Sequence, residues 1–226
     1  ETDIDVVHES PEVGENLQDH LQIRTVYKVS NTVTLNQRYR SLLGRAMMGL
    51  EYLAFRTGPL TMPPSQLGAF AKSDPEQPTA NMEWHVQPLS LDKFGSPLHT
   101  FNAITPSVCN LRPSSRGHIR IRSSVAAIYP AITTNYLSTE ADRAVALAGL
   151  KYTRRIMAAA SLARFAPEEL KPGAHLQSDH DLQNAAGDLG TTIFHPVGTC
   201  RMGSDARAVV DPNLKVKGLE GLRVID

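Results

Sequence analysis

A histidine followed at once by proline, with two glycines close behind, is the run in this chain best suited to chemistry: His195-Pro196-Val197-Gly198-Thr199-Cys200-Arg201-Met202-Gly203. Proline fixes φ and removes a backbone donor, while glycine lets the chain turn or approach another group closely. An imidazole held in that way could act as a base toward a flat cofactor, or it could simply be satisfied within a tight turn. Local sequence leaves both readings open. A metal centre on His195 and Cys200 would need two further ligands at suitable spacing, and none stand nearby, so no metal is expected. A Cys–His nucleophile pair fares no better, because nothing supports Cys200 as the attacking group. No Gly-x-Gly-x-x-Gly occurs, so the chain shows no dinucleotide fingerprint of its own.

The elements that would carry these residues can be read from periodicity. Residues 81–87 (NMEWHVQ) alternate strictly, sending Met82, Trp84 and Val86 to one face and Asn81, Glu83, His85 and Gln87 to the other. Residues 22–29 alternate too, with Ile23, Thr25, Tyr27 and Val29 on one side of a half-buried strand. Residues 117–122 suit a strand with Ile119 and Ile121 inward, and residues 100–107 are a weaker candidate. A helix is expected over 41–57, its apolar stripe formed by Leu42, Leu43, Ala46, Met47, Leu50, Leu53 and Ala54, stopped by Gly58-Pro59. Loops are expected at Pro63-Pro64 and over 73–79. A longer helix starts at Ser138 or Thr139, with Glu140 and Asp142 in its first turn. It presents Ala144, Val145, Leu147, Ala148, Tyr152 and Ile156, carries Arg164 in its last turn and closes at Pro167. A shorter helix runs from Ser178 to Gly190, and a strand over 191–194 delivers His195. Strands of antiparallel type with a few helices and no βαβ rhythm argue an α+β fold.

Bulk properties exclude several classes. The 226 residues suffice for a real core, and Lys plus Arg (23) equals Asp plus Glu (23), so charge points to neither nucleic acid nor an anionic membrane. No apolar stretch approaches the roughly 18–20 residues that span a bilayer. No charged-then-apolar leader opens the chain, and Cys109 and Cys200 are too few for a disulfide framework. A cytoplasmic protein is the expectation. The chain starts at Glu1 without methionine and ends just after 222–225, which reads as a buried strand, so a truncated or partial chain is expected.

Several runs, in order, resemble the glucose–methanol–choline (GMC) oxidoreductases, with the choline dehydrogenase-like branch the best fit. They are Pro11-Glu12-Val13-Gly14-Glu15-Asn16-Leu17-Gln18-Asp19-His20-Leu21, the run at 195–203, and Val209-Val210-Asp211-Pro212-Asn213-Leu214-Lys215-Val216 followed by 218–226. Shorter matches lie at Gly58-Pro59-Leu60-Thr61, at 112–117 and at Asn135-Tyr136-Leu137-Ser138. The resemblance implies an antiparallel sheet with flanking helices forming a substrate domain, plus fragments of an FAD-binding domain. Residues 1–20 would be a flavin-domain segment, 21–194 the substrate-binding domain, and 195–226 the return to the flavin domain. It implies FAD as cofactor, a small-molecule alcohol as substrate, and oxidation to an aldehyde or ketone. His195 would take the hydroxyl proton while hydride passes to flavin N5; an imidazole suits such a base near neutral pH. Gly14, Asn16, Leu17 and Asp226 match positions beside the flavin. Glu83 and His85 would face water or line the substrate cavity, where Glu83 could meet a choline-like ammonium. The family's phosphate-binding fingerprint and second active-site residue have no counterpart here, so the isolated chain is expected to hold FAD poorly and to be inactive. A hydroxynitrile lyase on the same fold and a non-catalytic substrate-domain fragment are the alternatives, and the electron acceptor stays open.

Overall fold

The computed structural model describes residues 4–63 and 65–226. Glu1 and Pro64, half of the proline pair read as a loop, lie outside the described residues. The chain divides into two compact units. The first comprises Glu1–Leu21, Arg112–Arg143 and Thr192–Asp226, and the second Gln22–Leu111 and Ala144–Thr191.

The second unit is built on a largely antiparallel sheet. Its strands are β1 (Leu21–Arg24), β2 (Val26–Lys28), β3 (Leu67–Ala71), β4 (Met82–Gln87) and β5 (Ala103–Asn110). A two-stranded pair, β6 (His118–Arg120) and β7 (Ala131–Thr133), belongs to the first unit. β8 (Glu168–Lys171) and β9 (Gly190–Thr192) complete the set among the described residues. The main order is β3-β4-β5-β1-β9, with β2 pairing both β5 and β8. The helices are α1 (Leu35–Arg40), α2 (Leu42–Phe55), α3 (Glu140–Met157) and α4 (Asp179–Leu189). An α+β architecture is what the sequence implied.

β4 follows its alternation over residues 82–85, whereas Val86 is only half-buried and Gln87, expected on the polar face, is buried. Met82 and Trp84 are fully buried on one face, where the indole N–H donates to Thr153 Oγ1 of α3 at 2.8 Å. That hydroxyl in turn donates to the Gly149 carbonyl at 2.8 Å, so the buried polar pair is satisfied. α3 lies close because Gly149 has no side chain: a Cβ there would stand 3.1 Å from the Val108 methyls. Its Arg154 grips Glu169 of β8 with two 2.8 Å bonds, and Tyr27 of β2 donates to the same carboxylate.

Several expectations are corrected. The helix read as running to Arg164 ends at Met157, and a 3-10 turn over Ala160–Phe165 follows. Its buried stripe is Asp142, Ala146, Gly149, Leu150, Thr153 and Met157, whereas Ala144 and Ile156 are exposed. Close approach of glycine and a satisfied threonine outweigh bulk hydrophobicity on that face. α2 forms as expected with Ser41 accepting from Gly44 N at its start, but Leu42, Leu43, Met47, Leu50 and Leu53 are all exposed and Met48 alone is buried. Residues 22–29 are broken at Thr25, whose hydroxyl donates to the Pro106 carbonyl, and both faces there are buried rather than one. The weak candidate at 100–107 is displaced to β5, the strand that pairs with β1, β2 and β4. Ile121 lies beyond the end of β6 and is exposed. The terminal run 222–225 makes one isolated bridge, Lys215 with Arg223, and Leu222 and Ile225 are exposed. No helix among the described residues is long and apolar enough to cross a membrane.

Candidate functional site

In the first unit, two runs far apart in sequence zip together. Gln18 and Val197 exchange backbone hydrogen bonds, Gly14 N donates to the Thr199 carbonyl, and Asn16 Nδ2 donates to the Gly198 carbonyl. Leu17 pairs with Gly117 in the same way, and its side chain is buried. These contacts gather His195, Gly14, Asn16, Leu17 and Asp226 into one neighbourhood.

His195 is not delivered by a strand end, as the sequence suggested. β9 stops at Thr192, and Phe194 adopts φ 65°, a left-handed conformation that costs a non-glycine residue. That kink turns the backbone so that His195 N donates to Asp19 Oδ1 at 3.1 Å, beside the bond from His20 N to the same oxygen at 2.9 Å. Asp19 Oδ2 accepts from the Tyr136 hydroxyl. Burial, then this hydrogen bond and the carboxylate charge, push the Tyr136 phenol well above its usual range, so it stays a donor. The His195 ring meets His20 edge-on at 5.6 Å between centroids, and its nitrogens make no hydrogen bond to a described residue. Its exposed neighbours in sequence, Phe194 and Val197, are apolar.

The expected cofactor-side residues prove busy within the chain. Gly14 has φ +83°, and a Cβ there would stand 2.3 Å from the Ile119 carbonyl oxygen, so the close approach it permits is to the chain's own backbone. Asn16 uses its amide on Gly198 and its carbonyl oxygen on Arg116 Nε. The Asp226 carboxylate accepts from Gly198 N and from Cys200 N, bracing the turn after His195. Burial and then that carboxylate push the Cys200 thiol up, which keeps it protonated and argues against a nucleophilic role. A cleft of about 500 Å³ lined by Val13, Gly14, Ile119, Arg120, Ile121, Thr199 and Cys200 opens beside this turn. Asp19 and Tyr136 went unassigned in the sequence, although both stand inside runs that carried the resemblance; nothing local tells a brace from a surface residue.

Glu83 and His85 stand in the second unit on the polar face of β4, 3.3 Å apart. Register continues that face through Ser107 and Cys109 of β5 to Gln22 and Arg24 of β1. It is well covered: Gln22, Arg24, Ser107 and Cys109 are all buried.

A family profile described as GMC oxidoreductase matches residues 113–226. The chain is 38% identical over 224 residues to an alcohol dehydrogenase (acceptor) of Pseudomonas putida, covering 99% of this chain and 40% of that protein. It is 37% identical over 226 residues to an oxygen-dependent choline dehydrogenase of Pseudomonas entomophila, again over 99% and 40%. Among solved structures, pyridoxine 4-oxidase from Mesorbium loti superposes with a TM-score of 0.78 at 27% identity, over 99% of this chain and 40% of that one. A formate oxidase from Aspergillus oryzae reaches a TM-score of 0.87 at 24% identity, over 99% and 44%, and at that identity shows the fold alone. The chain thus spans about 40% of the length of the curated relatives it matches.

Proposed function

The chain belongs to the GMC oxidoreductase family, and on that premise we propose that the protein is an FAD-dependent oxidoreductase taking an alcohol to an aldehyde or ketone, in the manner of the choline dehydrogenase-like relatives. The observation that carries this reading is the state of His195. Its backbone is fixed by Asp19, while both ring nitrogens lack a hydrogen bond to any described residue, as a group needs if it is to meet a substrate hydroxyl.

The walls of the cleft beside Gly14 fit a flavin in their chemistry, being mostly apolar with one guanidinium, that of Arg120. Gly14, Asn16, Leu17 and Asp226 are assigned to this side of the protein. Asn16, Asp226 and the Gly14 backbone N–H brace the backbone from 198 to 200, while the close approach of Gly14 is to Ile119 and Leu17 pairs with Gly117. When bound, the flavin supplies the two-electron acceptor, at N5, for the hydride that leaves the carbinol carbon. His195 takes the hydroxyl proton, so that the C=O bond forms as the C–H electron pair departs. Asp19, held by Tyr136, keeps the His195 backbone in place and acts as a positioning residue. Glu83 and His85 are assigned to substrate recognition, with Glu83 suited to a cationic substituent.

Anaerobic addition of alcohols to the full-length, FAD-loaded enzyme tests the reading. Loss of the oxidised flavin's visible absorbance on adding a primary alcohol or a choline-like alcohol is the expected result. A flavin that stays oxidised across such a panel would overturn it and would suit a lyase on the same scaffold.

A further inference from the structure

The polar face of β4 and β5 carries a donor set that goes beyond the substrate contact proposed for Glu83 and His85. Antiparallel register puts Glu83 opposite Cys109 and His85 opposite Ser107, so all three side chains project away from Trp84 and the α3 side of the sheet. One carboxylate oxygen, one imidazole nitrogen and the Cys109 sulfur lie within 4.8 Å of one another. Cys109 is buried, and the Glu83 and His85 side chains are largely so, with 19% and 27% exposed. His85 Nε2 is itself buried and lies 3.3 Å from Glu83 Oε1, yet it makes no hydrogen bond. Buried polar atoms ordinarily find a partner. A neutral imidazole nitrogen in that position, with a carboxylate oxygen 3.3 Å away and the Cys109 sulfur within 4.8 Å of both, is placed as a ligand of a shared third atom would be.

We propose that Glu83, His85 and Cys109 form a binding site for a divalent transition metal of the Zn²⁺ or Co²⁺ kind. The chemistry is complementary. A thiolate and a carboxylate balance the dication, and a neutral imidazole supplies a third donor of matching softness, a set that favours such ions over Mg²⁺ or Ca²⁺. Tetrahedral zinc with its usual bond lengths sets ligand atoms roughly 3.2–3.7 Å apart, which falls within the present spread. Small side-chain rotations therefore close the site without moving the backbone, which the six-residue pairing of β4 with β5 holds rigid. Three protein ligands leave a fourth position for water or a small ligand, the arrangement of an open rather than a closed zinc site. Binding expels the thiol proton, so affinity rises with pH. The site shares Glu83 and His85 with the proposed substrate contact but uses none of the residues around His195. A failed metal titration therefore leaves His195 as the base untouched, and a failed flavin reduction leaves the metal site untouched.

Cobalt reports on such a site directly, since tetrahedral Co²⁺ absorbs in the red, where flavin is transparent, and a thiolate ligand adds a near-ultraviolet charge-transfer band. Purified protein stripped by a chelator should take up about one Co²⁺ per chain with both signals, and Zn²⁺ should abolish them. Cys109→Ser should lose the charge-transfer band, Cys200→Ser should keep it, and Glu83→Gln and His85→Gln should each weaken Co²⁺ binding at least ~10-fold. Absence of the red band in the wild-type protein, or signals that survive Cys109→Ser unchanged, would overturn the proposal. Far-ultraviolet circular dichroism of the metal-free variants separates loss of the site from loss of the fold, and Glu83→Gln, which keeps the side-chain shape, serves if Cys109→Ser does not fold.

Discussion

Gly14 and Asp19 show how individual residues hold the candidate site. Gly14 sits at φ +83°, and a methyl there would collide with the Ile119 carbonyl oxygen at 2.3 Å. Gly14→Ala combines an unfavourable backbone region with a backbone clash, so it should cost about 1–3 kcal/mol of stability. Chemical denaturation checks this; a variant as stable as wild type would show that the turn relaxes freely. Asp19 works differently, as one carboxylate serving two backbone donors and a phenol. It sets where His195 stands without touching the imidazole.

At the scale of elements, the start of α3 is a charged clamp. The Asp142 carboxylate accepts from Ser114 N at 2.9 Å, Ser115 N at 2.8 Å and the Ser114 hydroxyl at 3.1 Å, while sitting in the helix's first turn. Burial raises its pKa, but these hydrogen bonds outweigh burial and leave it below the usual carboxylate value. A carboxyl depressed in the folded state stabilises above its unfolded pKa of about 3.9 and loses that contribution as pH falls through the lower folded value. Asp142→Asn should therefore lower stability near neutral pH by about 1–3 kcal/mol, and the gap should close in acid. Melting temperatures of both proteins from neutral pH downward decide it; a gap that stays constant would contradict the clamp.

The same helix shows what periodicity can and cannot convey. Its start, its acidic first turn and the α4 cap at Ser178, where Asp181 N donates to the serine hydroxyl, were legible because capping chemistry is local. Its buried stripe was not, because Gly149 and Thr153 earn burial through close packing and one indole partner rather than through hydrophobicity. β4 was readable because one face meets core and the other is polar. β5 was harder: buried on both sides and interrupted by Pro106, it lacks alternation. His195 was visible as a residue, but its left-handed approach through Phe194 and its hold by Asp19 arise from pairing between distant runs.

Over the whole molecule, the two units divide the labour. The first gathers His195 and its braces, and the second carries the sheet with Glu83 and His85. Both expose apolar side chains in groups: Leu42, Leu43, Met47, Leu50 and Leu53 on α2, and Phe194 and Val197 around His195. Contiguous apolar surface marks places where a protein meets another surface. The proposed chemistry turns on one side chain. In the full-length, FAD-loaded enzyme, His195→Gln should slow anaerobic flavin reduction by an alcohol, followed by stopped flow, about 10²–10⁴-fold, with the oxidised flavin spectrum unchanged. Reduction at the wild-type rate would contradict His195 as the base.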